Sequence, residues 1–350
     1  MSPVLRHIVP VAWVIAIVAF GLVPVIGTPL TMFVLSEALV FGVAAVSLNL
    51  LVGFGKLVSF GHAAWWGLGG YSTAILLQKS TGLGILGALL AGAVLTGAIS
   101  VVVGFFCVRR GAIYFSMLTL AFGQLLMLGV LRWRSVTGGE QGLTGGVPRP
   151  DVGPLDVTDP RNYYWFTAVV SLAAIGCMAW ILASPFGLTL RALAADPVRA
   201  AATGVNVRLH QLITFVLAAM FASIGGGLHA VSQSSAFPES LSWATSATFV
   251  FMGLVGGIGY LAGPLVGAVV YVYIERFAGD FFGSRDLVLG ILLLAIVLGM
   301  RGGFLGLFVD LWEWASRRRE RRSDEEKSSH QADERSKAPT SAGREREGNR

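Results

Sequence analysis

The sequence predicts an all-α, polytopic membrane bundle of about ten transmembrane helices, and three observations carry that prediction. Charged residues are 13% of the 350 and hydrophobic ones 54%, with a mean hydropathy of +0.70; soluble domains carry roughly 25% charged residues. Stretches without Asp, Glu, Lys or Arg recur at lengths that fit a helix crossing a hydrocarbon core of ~30 Å. Charge gathers at the C-terminal end, in RRRERRSDEEKSSHQADERSKAPTSAGREREGNR. Residues 1–315 therefore read as a transmembrane domain and 316–350 as a disordered, charged cytoplasmic tail. Lipid satisfies no free backbone group and no period-two pattern is present, so the spans are helices and not barrel strands.

Taken in order, the chain before Lys56 holds two spans, near 11–27 and 30–53. The opening MSPVLRHIVPVAWVIAIVAFGLVP resembles a signal peptide but has no small-x-small cleavage site in place, so a retained first helix is expected. The charge-free intervals that follow give spans near 57–78, 84–108, 112–131, 164–183 and 210–232. The interval from Glu239 to Glu275 is long enough for two shorter spans, 244–258 and 261–275, broken at GGIGYLAGP; a last one lies near 287–304. Arg109, Arg110, Arg191, Arg199, Arg208 and the Arg cluster after Trp314 fall on one side of this count. The positive-inside rule makes that side cytoplasmic, with both termini inside.

The net charge of +6 and pI of 9.6 do not imply nucleic acid: the basic residues lie in short loops and the tail, with no aromatic-interleaved patch. Cys107 and Cys177 sit in apolar runs without CxxC spacing, which gives neither a disulfide framework nor a zinc site.

Two connections are long. The outer one, RWRSVTGGEQGLTGGVPRPDVGPLDVTDPRNYYW, is dense in Gly, Pro and Asp and should be turn-rich and largely non-helical. The inner one, SPFGLTLRALAADPVRAAATGVNVRLHQ, has a helical pattern over 188–195, a Pro197 suited to the first turn of a second helix, and Gly204 to end it. This is a helical elbow on the cytoplasmic surface. Its residue pattern alone fits a connector lying on lipid, its arginines on phosphate, and leaves open a docking element for a cytoplasmic partner.

Within the spans, SFGHAAWWGLGGYSTAILL places Gly67, Gly70 and Ala74 on one small face, as close helix approach requires. Upstream, Gly53, Gly55 and Gly61 interrupt the helix, and Gly53-Phe54-Gly55-Lys56-Leu57 is echoed by Gly257-Ile258-Gly259-Tyr260-Leu261. Each runs into a small-residue helix ending at Tyr71 or Tyr271, and paired interrupted spans point to a transporter's substrate path. His62, near a helix start, is read first as a structural hydrogen-bonding group. Glu37, two turns into its span, either snorkels outward, is protonated, or lines an aqueous cavity. Asn49, Ser59, Thr119 and Gln124 serve as helix-to-helix glue or as pathway lining. Glu37, Asn49, His62, Tyr71 and Gln124 are the candidate pathway residues. No Walker motif, voltage-sensor arginine series or TVGYG-like filter occurs, so energy for uphill transport must come from another subunit.

Five segments in order, SLNLLVGFGKLVSFGHAAWWGLGGYSTAIL, RRGAIYFSMLTLAFGQLL, TGGEQGLTGGVP, SPFGLTLRALAADPVRAAATGVNVRLHQLITFVLAAMFASIGGGLHA and FMGLVGGIGYLAGPLVGA, cover most of residues 40–270. Together they resemble the LivM-type permease subunits of branched-chain amino acid ABC importers. The resemblance implies that the elbow is the coupling loop to an ATPase, with Arg191, Asp196, Arg199, Ala201 and Gly204 as its functional positions. The Ala200-Ala201-Ala202-Thr203-Gly204 run looks like the family's EAA…G signature. It further implies a second, LivH-like permease subunit, two cytoplasmic ATPases that bind the ATP, and an extracytoplasmic substrate-binding protein facing residues 137–148. No cofactor, metal or catalytic group is expected in this chain. The solute would be a branched-chain amino acid or a similar small polar molecule, urea and short amides included. Glu37, the Trp65-Trp66 pair and the long tail depart from the pattern. An ion-coupled secondary transporter using Glu37, or a membrane scaffold, are the other classes the residues allow.

Overall fold

The computed structural model describes residues 28–282, apart from 80, 81, 110, 145 and 151–155, together with positions 290, 291, 294, 303, 304 and 306. The span expected near 11–27 and the charged tail lie outside the described residues, and the span near 287–304 is described only at isolated positions. The contact pattern divides the chain into Met1–Leu305 and Gly306–Arg350, and every element below belongs to the first unit.

The described chain is helical. Thr28 caps α1 (Pro29–Asn49), its hydroxyl accepting from the Thr31 amide, with Pro29 at the first turn. α1 runs without a break into a π-helical turn, Leu50–Phe54. Then follow α2 (His62–Lys79), α3 (Ile85–Cys107), α4 (Ala112–Arg132) and the single turn α5 (Arg134–Thr137). α6 (Pro160–Ala183) leads into the elbow, α7 (Pro185–Ala195) and α8 (Pro197–Ala202). α9 (Val207–Gln233), α10 (Trp243–Gly256) and α11 (Gly263–Phe282) complete the bundle. Among the described residues five helices are long and apolar enough to cross a membrane by length and composition: α1, α3, α4, α6 and α9.

Two expected spans begin elsewhere. The one placed at 57–78 starts at His62, because residues 55–61 are not helical. The one placed at 261–275 runs from Gly263 to Phe282. Sequence hydropathy registers an apolar non-helical segment and an apolar helix alike, which is why the first boundary is missed.

α1 is the central rod, packed by α11, α9 and α6, while α9 also lies along α2 and α3. The seam between α2 and α9 is built on glycine. A Cβ on Gly226 would sit 1.8 Å from the Trp66 carbonyl oxygen, and one on Gly69 2.2 Å from that of Ser223. In lipid, where apolar burial between helices gains little, such backbone approach is what associates them. Gly70 faces Gly226 as the small face of α2 requires, and Gly67 receives Leu241. The two tryptophans leave in different directions. Trp66 stacks on Phe41 at 5.2 Å and meets Phe249 and His229, while Trp65 stands edge-on to Phe215 at 5.4 Å.

The bundle has an elbow end and an opposite end. At the opposite end the outer connection is turn-rich, as its composition demands, with left-handed Gly138, Gly139 and Gly142. It is tied down by the Leu143–Ala236 bridge and by Arg149, whose guanidinium donates to the Val231 and Ser232 carbonyls at the C-terminus of α9. The Tyr163 hydroxyl donates to Leu228 O at 2.8 Å. The two arginine bonds fall on carbonyls of the last turn of α9, where intrahelical partners run out.

Candidate coupling elbow and translocation site

The elbow is amphipathic at two helices' length. Leu190, Leu193 and Ala200 are buried, whereas Leu188, Arg191, Val198, Arg199 and Ala201 are exposed, Val198 at 80%. Asp196 caps α8, its carboxylate accepting from the Val198 and Arg199 amides at 3.0 and 3.1 Å, with Pro197 in the first turn. The Arg199 Nε also meets Asp196 at 2.8 Å. An exposed pair of this kind adds little stability; what it does is hold the guanidinium over the turn. Gly204 has φ +88 with open space around its missing Cβ, so backbone conformation and not crowding requires glycine there.

Beneath the elbow lies the first interruption. The Arg191 guanidinium sits 5.7 Å from the Phe54 ring centre and donates to Leu182 O, and the Leu190 side chain packs on Gly55. From Gly55 to Gly61 the chain is non-helical, with Lys56 at a positive φ, and it is held against α4 by Ser116, whose hydroxyl donates to Val58 O at 2.7 Å, and by Thr119, which accepts from the Phe60 amide at 3.3 Å. Gly61 and Thr119 are in backbone contact. Thr119 is seven residues into α4, about 10 Å along it at 1.5 Å per residue. This segment thus lies within the bundle, the setting in which membrane proteins tolerate non-helical backbone.

The second interruption meets the first through one side chain. The Asn49 amide donates to Tyr260 O at 2.9 Å and accepts from the Gly259 amide at 3.1 Å. A Cβ on Gly53 would overlap both Asn49 and Gly259 N, so the two Gly-rich motifs touch. The structure therefore joins the repeated pair noted in the sequence.

The other candidates are separate. His62 is buried at the start of α2, its Nε2 2.8 Å from Ser47 Oγ, whose own proton goes to Ala44 O at 2.7 Å; this assigns Nε2 as donor. The neighbouring Ala63 amide donates to Ser246 of α10 at 2.9 Å. Tyr71 is buried beside His229 in the seam around Gly70 and Gly226. Gln124 is half-buried on α4. Glu37 is half-buried near the opposite end, where Glu275 and Arg276 of α11 act on it electrostatically and Arg276 lies 5.5 Å from the Phe33 ring. Sequence reasoning missed Glu275 and Arg276 as neighbours of Glu37, and missed Ser47, Ser116 and Ser246 altogether. No periodic signal marks a lone serine; only the pairing of distant elements exposes its role.

The family model described as the permease component of the branched-chain amino acid transport system matches residues 30–297. The chain belongs to this family. The high-affinity branched-chain amino acid transport system permease protein LivM of Escherichia coli K12 is 25% identical over 298 residues, covering 79% of this chain and 70% of LivM. LivH of the same organism is 24% identical over 286 residues, 76% of this chain and 91% of LivH. A shorter likeness, 28% over 121 residues, extends to the galactose/methyl galactoside import permease protein MglC. It covers 33% of this chain and 35% of MglC. No solved structure matches the chain. As in other members of this permease family, the chain is a multi-pass membrane protein, and both interruptions and the elbow fall within the matched residues.

Proposed function

We propose that this chain is one of two membrane-embedded halves of an ABC importer, and that it receives the push of a cytoplasmic ATPase through the elbow. The observation that carries this reading is the chain of contacts from α7 through Leu190 and Arg191 to Phe54 and Gly55, and from Asn49 to Gly259 and Tyr260. An element pressing on the elbow moves the π-helical turn, and that turn is tied to the foot of α11. The elbow's likeness to the coupling loop makes it the cytoplasmic side; arginines lie at both ends, Arg109, Arg191, Arg199 and Arg208 at this one and Arg132, Arg134, Arg149 and Arg161 at the other. Both termini are then inside, in the bacterial inner membrane, with the 137–148 loop facing an extracytoplasmic binding protein. ATP is bound by the partner subunits. The solute is a branched-chain amino acid or a similar small molecule, the class named for LivM and LivH. Asn49 and His62 act within the wall of the pathway as ties between helices, and Glu37 sits in a charged cluster at the outer end.

Co-purification tests the reading. The wild-type chain should retain an ATPase subunit in mild detergent, and Arg199→Glu or Gly204→Pro should release it. Proline cannot supply the amide that Gly204 donates to Ala201 O at 3.0 Å, nor adopt a positive φ. Solute uptake by the purified chain alone in liposomes, abolished by Glu37→Gln, would instead make it an ion-coupled transporter.

A further inference from the structure

At the elbow end a pocket of about 320 Å³ opens between the last turn of α3 and the first turn of α9. A Cβ on Gly104 would sit 2.7 Å from both Leu212 and Phe215, so the two helices nearly touch there, and the gap lies beyond that contact, beside Val108 and Leu209. Arg109 lines it from the α3 side; Asn206, the cap of α9, and Arg208 line it from the other. No aspartate or glutamate lines the pocket, and among the described residues neither arginine pairs with a carboxylate. The Arg109 guanidinium lies 3.8 Å from the Phe105 ring centre. That contact fixes where the charge sits but brings no oxygen to its N–H donors. Away from the elbow the pocket runs out onto an apolar strip. Val101 stands one turn from Phe105, and Ile213 one turn from Leu209, and all four are exposed.

We propose that this pocket holds the phosphate of an anionic phospholipid, with the acyl chains lying along the exposed strip of α3 and α9. Two arginines with no acid beside them match a phosphate diester, whose oxygens accept guanidinium N–H bonds in pairs. α9 starts at the pocket, and a helix start favours an anion. Basic pockets between membrane helices take anionic headgroups in this way. The apolar strip decides the source of the phosphate. Free phosphate gains nothing from Val101, Phe105, Leu209 or Ile213, whereas a lipid brings chains to cover them. A zwitterionic lipid carries its own ammonium next to the phosphate and gains less from the two arginines. The chain enters α9 directly from the elbow's closing Gly204, so a lipid bound here pins the exit of the elbow to the foot of α3 and leaves α7 and α8 free to be pressed. The leaflet, though not the pocket, rests on the importer reading above: with the elbow inside, it is the cytoplasmic one.

The test uses the full chain, with the subunits it retains, in phosphatidylcholine vesicles that contain brominated phosphatidylglycerol or brominated phosphatidylcholine. Bromine on an acyl chain quenches a fluorophore that it touches. Ile213→Cys, in a Cys107→Ala, Cys177→Ser background, carries a bimane just outside the pocket. Val94→Cys in the same background carries it on exposed α3 surface eleven residues before Phe105, about 16 Å along the helix. At 213 phosphatidylglycerol should be preferred by roughly fivefold for each arginine it meets, and at 94 the two lipids should quench alike. Arg109→Gln with Arg208→Gln should remove the preference at 213 and leave the quenching at 94 unchanged, which also reports that the variant is folded. Inorganic phosphate, added at constant ionic strength, should not release the lipid. The proposal is overturned if phosphatidylglycerol is not preferred at 213, if it is preferred as strongly at 94, or if the preference survives the double substitution. Release by inorganic phosphate, which marks a site for a free anion, overturns it as well, as does an absence of quenching by either lipid at 213, which puts a protein subunit over the strip. Solute uptake that does not depend on ATP would instead sink the importer reading and leave the quenching result standing.

Discussion

Asn49 shows how much one neutral amide does in a membrane. Its side chain donates to one backbone carbonyl and accepts from one backbone amide, both in a segment some 210 residues away. A carboxylate could serve only one of the two and would bring a charge into an apolar region. Asn49→Leu leaves Gly259 N and Tyr260 O without their partner, at about 1–3 kcal/mol for each unsatisfied group. We expect a chain that still inserts and binds its ATPase but transports poorly, seen as a lower uptake rate at unchanged ATPase recovery. Glycine at 226 is stricter. Its Cβ would overlap the Trp66 backbone, which no rotamer change relieves. Gly226→Ala should abolish folded, monodisperse protein in size-exclusion chromatography, whereas Gly84→Ala, in open space, should leave the profile intact.

The elbow and the interruptions were legible to different depths. Of the elbow's punctuation, Pro197 and Gly204 were read from local chemistry, while the opening at Pro185, three residues before the helical pattern, and the Asp196 cap emerge in the structure. Local chemistry is what a sequence displays directly. The glycine clusters likewise marked both interruptions, but not that they touch, because that contact depends on the packing of α1 against α10 and α11. The non-helical course of residues 55–61 was hidden for a related reason. The hydroxyls of Ser116 and Thr119, far along the chain, make it tolerable. Exposed Val198 belongs to the elbow's outer surface. Val198→Asp should therefore weaken ATPase retention without lowering the melting temperature, while Leu190→Ala, deleting a buried side chain, should lower it, at roughly 2–5 kcal/mol for such a truncation. Differential scanning fluorimetry alongside co-purification separates the two outcomes.

At the scale of the molecule, the glycine seam and the two interruptions divide the labour. α2 and α9 approach backbone to backbone and are set to move together, since a seam without side-chain slack cannot slide without clash. α10 is short and flanked by turns, and glycines join it to α11 just as closely, since a Cβ on Gly256 would overlap the Gly263 carbonyl and one on Gly267 that of Met252, so α10 and α11 are set to move as one unit. Cysteine cross-links should report this. A pair across α2 and α9 should form equally with and without nucleotide on the ATPase, and a pair between α10 and α4 should depend on it. Equal cross-linking at both places would refute the division.

The π-helical turn at Leu50–Phe54 has one more implication. A π turn is an α turn that has swallowed a spare amino acid, and the surplus can be given back. Excising Val52 should let α1 wind on as ordinary helix through this region, with little loss of thermal stability. The shortened protein would be well folded and stiff where the importer has to bend, so it should reach the membrane in normal amounts and carry nothing across.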